Sequence, residues 1–369
     1  MKFTAKIKDL SKVLALAIDC CPQKSTIPIL SHFKVDVTTD GLAITASDMD
    51  REITIRCAAD VQEPGCEAID GRMFRDIVAK MHQDGDVALQ SEPGKVKLSS
   101  GRSKFNVPTL PPEDFPSLGE PDSAAEYTLT GGEFQKAANR VLFAAATDSV
   151  TKAYLCSVYV HPEDTSWVCV AADGPQLARV SFPGPAHGQS LTPFLLPPRT
   201  ATLAGKLFPN GEDLSMRINE RLLVLAGASA KITSKLIDGK YPDYQRVIPK
   251  TNLQTVLVDR QDIGASIARV AVAGGELGVR LDYDGETLRL SSRKGMGADG
   301  ADEMSLLSPG APFEFKVDPQ VAASVLAMFE EDELSLDIEK TKKATGNPMV
   351  FRGDKAGTLA VVMSMIDGS

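Results

Sequence analysis

The chain has 369 residues and a formal net charge of −9; 43% of its residues are hydrophobic and 24% are charged. These fractions are typical of a globular protein, and the length exceeds what one ordinary core supports, so two or three domains are expected. No stretch approaches the roughly eighteen apolar residues of a membrane helix, and no signal segment is predicted, so we expect a cytoplasmic protein. The acidic balance argues against DNA binding by the whole surface but leaves room for a local basic face.

Three stretches share the outline of a short strand followed by an amphipathic helix. They begin at Phe3, Tyr127 and Val256, and apolar residues then recur at helical spacing. The starts are 124 and 129 residues apart, which is the size of a domain. We therefore predict three similar domains, at residues 1–124, 125–252 and 253–369.

Each copy contains a second strand-helix start near its middle, at Glu67, Pro193 and Pro312. The third is the clearest, because Asp318 offers a capping carboxylate and Pro319 stands at the first helical position. Short alternating strands fill the remaining sequence. The pattern predicts an α+β fold in which each domain packs two helices on antiparallel sheets.

A proline-rich aromatic segment at residues 238–250, called the connector below, follows an alternating strand. Its two prolines, Pro242 and Pro249, fix φ and remove two backbone donors, so the segment should be stiff and extended. Its tyrosines need a surface on which to dock. A similar segment at residues 104–118 suggests that both connect domains.

The six predicted helices are more basic than the rest of the chain. They span residues 5–19, 72–82, 132–143, 199–207, 259–271 and 318–330, and together they hold twelve basic and eight acidic residues. Lysines on ordinary solvated helix faces could produce this count. Alternatively, the helices gather on one side and contact phosphates without reading bases.

Sequence motifs for catalysis or cofactor binding are weak. Residues Gly295–Gly300 match G-x-G-x-x-G, but no helix is predicted after them, which favours a loop between strands. The alternating Asp48, Asp50 and Glu52 suggest a solvated strand end rather than a metal cluster. The stretch His161–Asp164 is typical of a turn between strands rather than an acid–base pair. The cysteines lack Cys-x-x-Cys spacing, so reduced thiols are expected. We predict a protein that is not an enzyme and has no cofactor or metal; the alternative is a nucleotide-binding or catalytic DNA-processing protein.

Several longer motifs run in one order along the whole chain. They are Met1-Lys-Phe-Thr4, Thr26-Ile-Pro-Ile-Leu30, Gly101-Arg-Ser-Lys-Phe105, Asp114-Phe-Pro116, Thr233–Lys250, Gly278-Val-Arg-Leu281 and Val361-Val-Met-Ser-Met365. Together they resemble the bacterial DNA polymerase III beta subunit family, the sliding clamps. The resemblance implies a DNA-clamp fold and a head-to-tail homodimer closed as a ring around duplex DNA, with helices inside and sheets outside. Such a ring is a processivity factor in DNA replication that holds DNA by enclosure, so its individual contacts can stay weak.

The resemblance also implies three sets of site residues. The DNA-binding positions are Lys24, Arg72 and Lys136, and the dimer interface is expected at Phe105, Val107 and Val272. A pocket for short peptide motifs of the polymerase III α subunit, the clamp loader, other polymerases and repair proteins is expected at Leu155, Ala172, Leu177, Pro242, Arg246, Val247, Val361, Val362, Met363 and Met365. Alternatively, Val361–Met365 is only an edge strand of the last sheet, or the chain is a scaffold that never encircles DNA.

The chain departs from the family pattern at a few positions. Pro175 and Gln176 stand where the family usually has histidine and arginine. Ser364 replaces the proline of Met-Pro-Met, and Asp367–Ser369 follow the usual end. We expect any change of partner preference to arise at these positions.

Overall fold

The computed structural model describes residues 1–147, 152–184, 192–208, 212–251, 253–274, 277–293, 299–339, 347–353 and 357–365. These residues form six α-helices and 25 β-strands, which confirms the predicted α+β class. No helix in the described ranges is long and apolar enough to span a membrane.

The six helices match the six predicted windows, with ends that differ by a few residues. Asp318 caps the last helix as predicted, because its carboxylate accepts the amides of Gln320 at 2.7 Å and Val321 at 3.2 Å. The helices are α1 (Ile7–Ala17), α2 (Gly71–Lys80), α3 (Glu133–Val141), α4 (Pro198–Leu207), α5 (Arg260–Gly274) and α6 (Pro319–Ala327).

The strands are short, and every pairing between them is antiparallel. The first ten are β1 (Lys2–Lys6), β2 (His32–Thr38), β3 (Gly41–Ser47), β4 (Arg51–Cys57), β5 (Asp60–Glu63), β6 (Gly65–Asp70), β7 (Asp86–Glu92), β8 (Lys95–Ser100), β9 (Ser103–Leu110) and β10 (Ala125–Leu129). The next eight are β11 (Val158–Glu163), β12 (Ser166–Asp173), β13 (Gln176–Pro183), β14 (Phe194–Leu196), β15 (Leu214–Ile218), β16 (Leu222–Ala226), β17 (Ala230–Lys235) and β18 (Leu253–Asp259). The last seven are β19 (Val279–Tyr283), β20 (Leu288–Arg293), β21 (Asp299–Met304), β22 (Phe313–Val317), β23 (Glu333–Glu339), β24 (Pro348–Arg352) and β25 (Leu359–Met363).

The first of two compact units consists of residues 1–135 and 199–236. Its strands form one sheet in the order β10-β15-β16-β17-β4-β3-β2-β6-β9-β8-β7-β1-β5. At its centre, Ile232 of β17 pairs with Ile53 of β4, so strands from the first and second predicted domains share a sheet. Helices α1 and α2 pack together, and their fully buried Leu10 and Phe74 contribute to the core.

The second unit consists of residues 136–198 and 237–369. One sheet has the order β14-β11-β12-β13-β25-β24-β23-β18, and the other has the order β21-β20-β19-β22. Because β25 lies between β13 and β24, the interpretation of Val361–Met365 as an edge strand is wrong. The boundaries of the three predicted domains remain a prediction.

Two local expectations were wrong. Residues 104–110 form most of β9 rather than a connector, because Val107 points into the core and is fully buried. Glu52 is not part of a solvated strand end: it is 7% exposed and accepts the Leu118 amide at 3.1 Å. The described residues contain no group of three or more His, Cys, Asp or Glu side chains that could hold a metal ion.

The glycine pattern lies between two paired strands. Its residues 295–298 are outside the described residues, but Asp299 begins β21, which pairs antiparallel with β20. A strand therefore follows the pattern where a dinucleotide-binding loop requires a helix.

Candidate functional site

The connector is fixed to the second unit by its two tyrosines. Residues 238–250 are all described and form no strand, only a 3-10 turn at Tyr244–Val247. Tyr241 and Tyr244 are each 6% exposed and belong to a hydrophobic cluster on the larger sheet of this unit. Residues 242, 243 and 245–247, around the two tyrosines, are exposed, and Val247 is 56% exposed. The connector thus presents Pro242, Arg246 and Val247 to solvent over an apolar base.

The same cluster contains several other predicted peptide-site residues. Leu177 of β13 pairs with Val361 of β25, and both are buried in the cluster. Leu155 and Ala172 are partly buried and pack against it. Val362 is also buried, so the strands supply a firm base while the connector supplies the exposed side chains.

The segment Met363–Met365, called the tail below, begins at the last residue of β25 and is held by three successive backbone amides, each bonded to a different segment. The amide of Met363 donates to the Pro175 carbonyl at 2.8 Å, that of Ser364 to Asn347 at 3.0 Å, and that of Met365 to Lys316 at 2.9 Å. The Ser364 hydroxyl also accepts the Lys316 amide at 3.2 Å. A proline at 364 has neither the amide nor the hydroxyl, so this departure from the family pattern fixes the tail more firmly. The two methionine side chains remain half-buried.

Pro175 and Gln176, the other two departures from the family pattern, place no charged side chain at the start of β13. Pro175 is not ionisable, and Gln176 donates from Nε2 to the Phe143 carbonyl at 3.1 Å. Arg246 is a cation of this surface; it is paired with Asp243 at 2.9 Å and is largely exposed. A cavity of about 430 Å³ lies beside it and is lined by Asp243, Gln245, Arg246, Ile248, Pro249 and Lys250.

Sequence reasoning missed two residues beneath the connector. Tyr159 and His161 lie in β11, so the expected turn at His161 is wrong. Their spacing of two places them on one face of the strand, and that alternation could have identified them. Burial raises the pKa of the Tyr244 phenol and lowers the pKa of His161.

The predicted DNA-binding residues occupy different local environments. Lys24 is exposed in the loop after α1, while Arg72 is half-buried in the first turn of α2. Both belong to the first unit. Lys136 lies half-buried in α3 and belongs to the second unit.

Two of the three predicted interface residues have exposed apolar side chains. Phe105 is 39% exposed and Val272 is 89% exposed, whereas Val107 is fully buried. Phe105 borders a groove of about 690 Å³ lined by Met73, Asp76, Ile77, Lys80, Met81, His82, Ser100, Gly101, Ser103 and Phe105. The methionines and isoleucine of this groove were missed, although their spacing of four residues predicts one apolar helix face.

The thiols show no sign of activation. All six cysteines are free, and burial raises the pKa of Cys20 to about 12 and that of Cys21 to about 11. Both therefore stay protonated near neutral pH, whereas nucleophilic chemistry requires a thiolate.

Comparison with known proteins identifies the family. The model of the DNA polymerase III beta subunit N-terminal domain matches residues 1–119, and that of the central domain matches residues 128–243. The beta sliding clamp of Caulobacter vibrioides is 29% identical over 323 residues, covering 85% of this chain and 87% of that protein. The beta sliding clamp of Escherichia coli K12 is 29% identical over 332 residues, covering 88% and 90%.

Solved clamp structures have the same fold over the whole chain. The DnaN sliding clamp of Bartonella birtlesii bound to griselimycin is 25% identical and has a TM-score of 0.89, covering 99% of each chain. The Caulobacter crescentus polymerase III beta structure is 26% identical with a TM-score of 0.86, covering 99% of this chain and 100% of that chain. The chain therefore belongs to the bacterial DNA polymerase III beta subunit family, the beta sliding clamps, which are non-catalytic processivity factors of DNA replication.

Proposed function

We propose that this chain forms a head-to-tail homodimeric ring around duplex DNA and binds its partners through the surface formed by the connector and the tail. The partners would be the polymerase III α subunit, the clamp loader, and other polymerases and repair proteins that carry short peptide motifs. Three domains with the predicted boundaries would form each half of the ring. Such a clamp works in the cytoplasm, where bacterial DNA is replicated.

The observation that carries the peptide-binding proposal is the exposed connector over a rigid apolar base. Val247 and Pro242 are apolar yet exposed, and the half-buried Met363 and Met365 add flexible thioether side chains. Methionines suit a surface that accepts varied partners, and clustered exposed apolar groups mark binding sites. The fixed connector would also lower the entropic cost of ordering the site on binding.

Complementary apolar features support the head-to-tail dimer. The groove bordered by Phe105 is concave and partly apolar, with Met73, Ile77 and Met81 in its lining, while Val272 projects from α5 almost fully exposed. Insertion of Val272 from one protomer into the groove of the next would bury both. Two such heterologous contacts would close a ring of two chains.

Free strand edges of opposite charge support the same arrangement. β9 pairs with β6 only through Thr109 and Leu110, so its first half has a free edge that carries Lys104, next to Arg102. β21 is the outermost strand of its sheet and carries acidic residues, including Asp299. Pairing of these edges between protomers would protect both from other strands and would bring opposite charges together.

Contacts with DNA would be few and exchangeable. Lys24, Arg72 and Lys136 would contact phosphates, whose attraction is screened by salt and carries no sequence information. Retention on DNA would instead depend on enclosure.

DNA retention can be tested by loading the protein onto a nicked circular plasmid with the clamp loader and ATP. We expect the circle to retain the clamp through gel filtration in high salt, and linearisation with a restriction enzyme to release it. Equal retention on circular and linear DNA would mean ordinary binding and would contradict the ring.

Peptide-site binding can be tested with griselimycin, the ligand of the related Bartonella clamp. We expect saturable binding by calorimetry, lost in Val247→Asp and retained in the matched control Ile27→Asp, whose parent side chain is 46% exposed in the other unit. Unchanged binding by Val247→Asp would contradict the proposed surface.

A further inference from the structure

The position of the connector depends on side chains rather than on a β ladder. No strand forms within residues 238–250, and the segment packs against the sheet through the buried Tyr241 and Tyr244 and the partly buried Ile248. Tyr241 stacks on Tyr159 with centroids 4.9 Å apart and planes 8° from parallel. Tyr159 in turn stacks on His161 at 4.9 Å, and His161 lies 5.7 Å from Tyr244. The four rings form a continuous series of contacts, called the stack below, that begins and ends on the connector; its last pair is tilted by 46°.

One buried hydrogen bond closes this stack. His161 Nε2 and Tyr244 Oη are 2.9 Å apart, and His161 Nδ1 is 2.9 Å from the Pro162 carbonyl oxygen. A carbonyl can only accept, so Nδ1 carries the hydrogen. In a neutral imidazole Nε2 is then the acceptor, and the Tyr244 hydroxyl donates to it.

Burial, rather than the charged groups around this bond, favours neutral His161. Burial lowers its pKa by more than the hydrogen bond to Pro162 and the charge of Glu163 on β11 raise it, and the positive charge of Arg179 on β13 adds a smaller lowering. The Glu163 carboxylate is itself paired with Arg179. The other titratable groups at the ring are the phenols of Tyr159 and Tyr244, which stay neutral because burial raises the pKa of each.

We infer that His161 is a positioning residue for the peptide-binding surface: its neutral Nε2 accepts the Tyr244 hydroxyl and thereby holds Pro242, Arg246 and Val247 in place. This inference rests on the proposed peptide-binding function. Protonation would make Nε2 a donor, so the bond could persist only in reverse, with the Tyr244 hydroxyl turned to accept. It would also place a second cation beside Arg179 in a buried site. The contact that holds the connector is weakened in that state, and ligand affinity falls.

The pH profile gives the first test. Because the pKa of His161 is below its usual value of about 6.5, the wild type should bind griselimycin with constant affinity above that pH and more weakly as the pH falls through the pKa of the folded protein. His161→Gln places an uncharged acceptor near the Nε2 position. It should keep affinity within about threefold of wild type at pH 7.5 and lack the acid-dependent loss that the wild type shows. An identical acid-dependent loss in the Gln variant would overturn the inference.

A double-mutant cycle gives the second test. His161→Phe and Tyr244→Phe each remove one partner of the bond while retaining an aromatic ring. Each should weaken griselimycin binding about fivefold to tenfold, and the double variant should lose no more than either single variant, because all three lack the same bond. Fully additive losses, or unchanged affinity in both single variants, would overturn the inference.

The Val247→Asp variant distinguishes failure of the proposed peptide-binding surface from failure of the positioning role of His161. If Val247→Asp abolishes griselimycin binding while the His161 and Tyr244 variants bind as wild type, the peptide surface stands and the positioning role is wrong. If Val247→Asp binds as wild type, the peptide surface itself is wrong and the inference fails with it. Thermal unfolding of every variant identifies any that fails to fold, and His161→Gln then serves as the conservative replacement.

Discussion

Val272→Asp isolates the dimer contact from the folding of the protomer. Val272 is 89% exposed, so replacing it changes little in the isolated chain. In the proposed dimer this side chain packs on the apolar residues of the partner's groove. Full burial of a valine contributes at least about 1.5 kcal/mol, and this contribution is lost when a carboxylate takes its place. A ring has two such interfaces, so the dimer should lose at least about 3 kcal/mol, which is more than about a hundredfold in its dissociation constant.

Sedimentation velocity over a concentration series measures this directly, since the dimer has twice the 39.4 kDa mass of the chain. Val247→Asp is the matched control, because Val247 is also an exposed apolar residue, at 56%, and the connector is not part of the proposed interface. Thermal unfolding should be the same for both variants. A Val272→Asp dimer within about threefold of wild type, which corresponds to roughly 0.7 kcal/mol, would refute the reasoning.

Three further substitutions test local features of the fold. Ser364→Pro removes the amide that donates to Asn347 and the hydroxyl that accepts the Lys316 amide. Hydrogen exchange of the Met365 amide should accelerate, because the local free energy of opening falls by about 1–3 kcal/mol. Unchanged exchange would contradict the role of Ser364 in fixing the tail. Gly278→Ala places a Cβ 2.7 Å from Met365 Sδ at a φ of +85°. The substitution should lower the free energy of unfolding by more than about 1 kcal/mol and weaken griselimycin binding. Unaltered stability would show that the tail adapts to the new methyl group. Asp318→Ala removes the cap of α6 and should lower the free energy of unfolding in urea by about 1 kcal/mol. Asp318→Asn is the control, because it retains a capping oxygen. Equal losses of stability in both variants would argue that the charge of Asp318, rather than its capping bond, stabilises the helix.

Local sequence patterns predicted much of the secondary structure. Three of the six helices were predicted because their apolar residues repeat at helical spacing. The other three were predicted as the second strand-helix start of each copy, and at α6 the Asp318-Pro319 pair marked the start. The family motifs predicted a DNA sliding clamp without catalytic activity, and the family models and relatives confirm this. The glycine-loop alternative is not favoured, because a strand follows the glycines.

The failures arose where neighbours distant in sequence decide the environment of a residue. Glu52 was expected in solvent because acidic residues alternate along its sequence at positions 48, 50 and 52. In the structure its carboxylate is buried and accepts a hydrogen bond from the Leu118 amide. His161 was placed in a turn because a proline follows it, although β11 continues through Glu163. Local patterns contain no information about such partners.

The sequence by itself determined the helices, the α+β class and the family, since these follow from short-range periodicity and motif order. Only the tertiary structure decided that β25 lies inside a sheet, because strand pairing joins residues far apart in the chain. It also showed that Val361 and Val362 are buried while Val247 is exposed, and that Tyr244 docks on His161. These features depend on packing between distant segments, and they distinguish the supporting base of the proposed peptide surface from its exposed part.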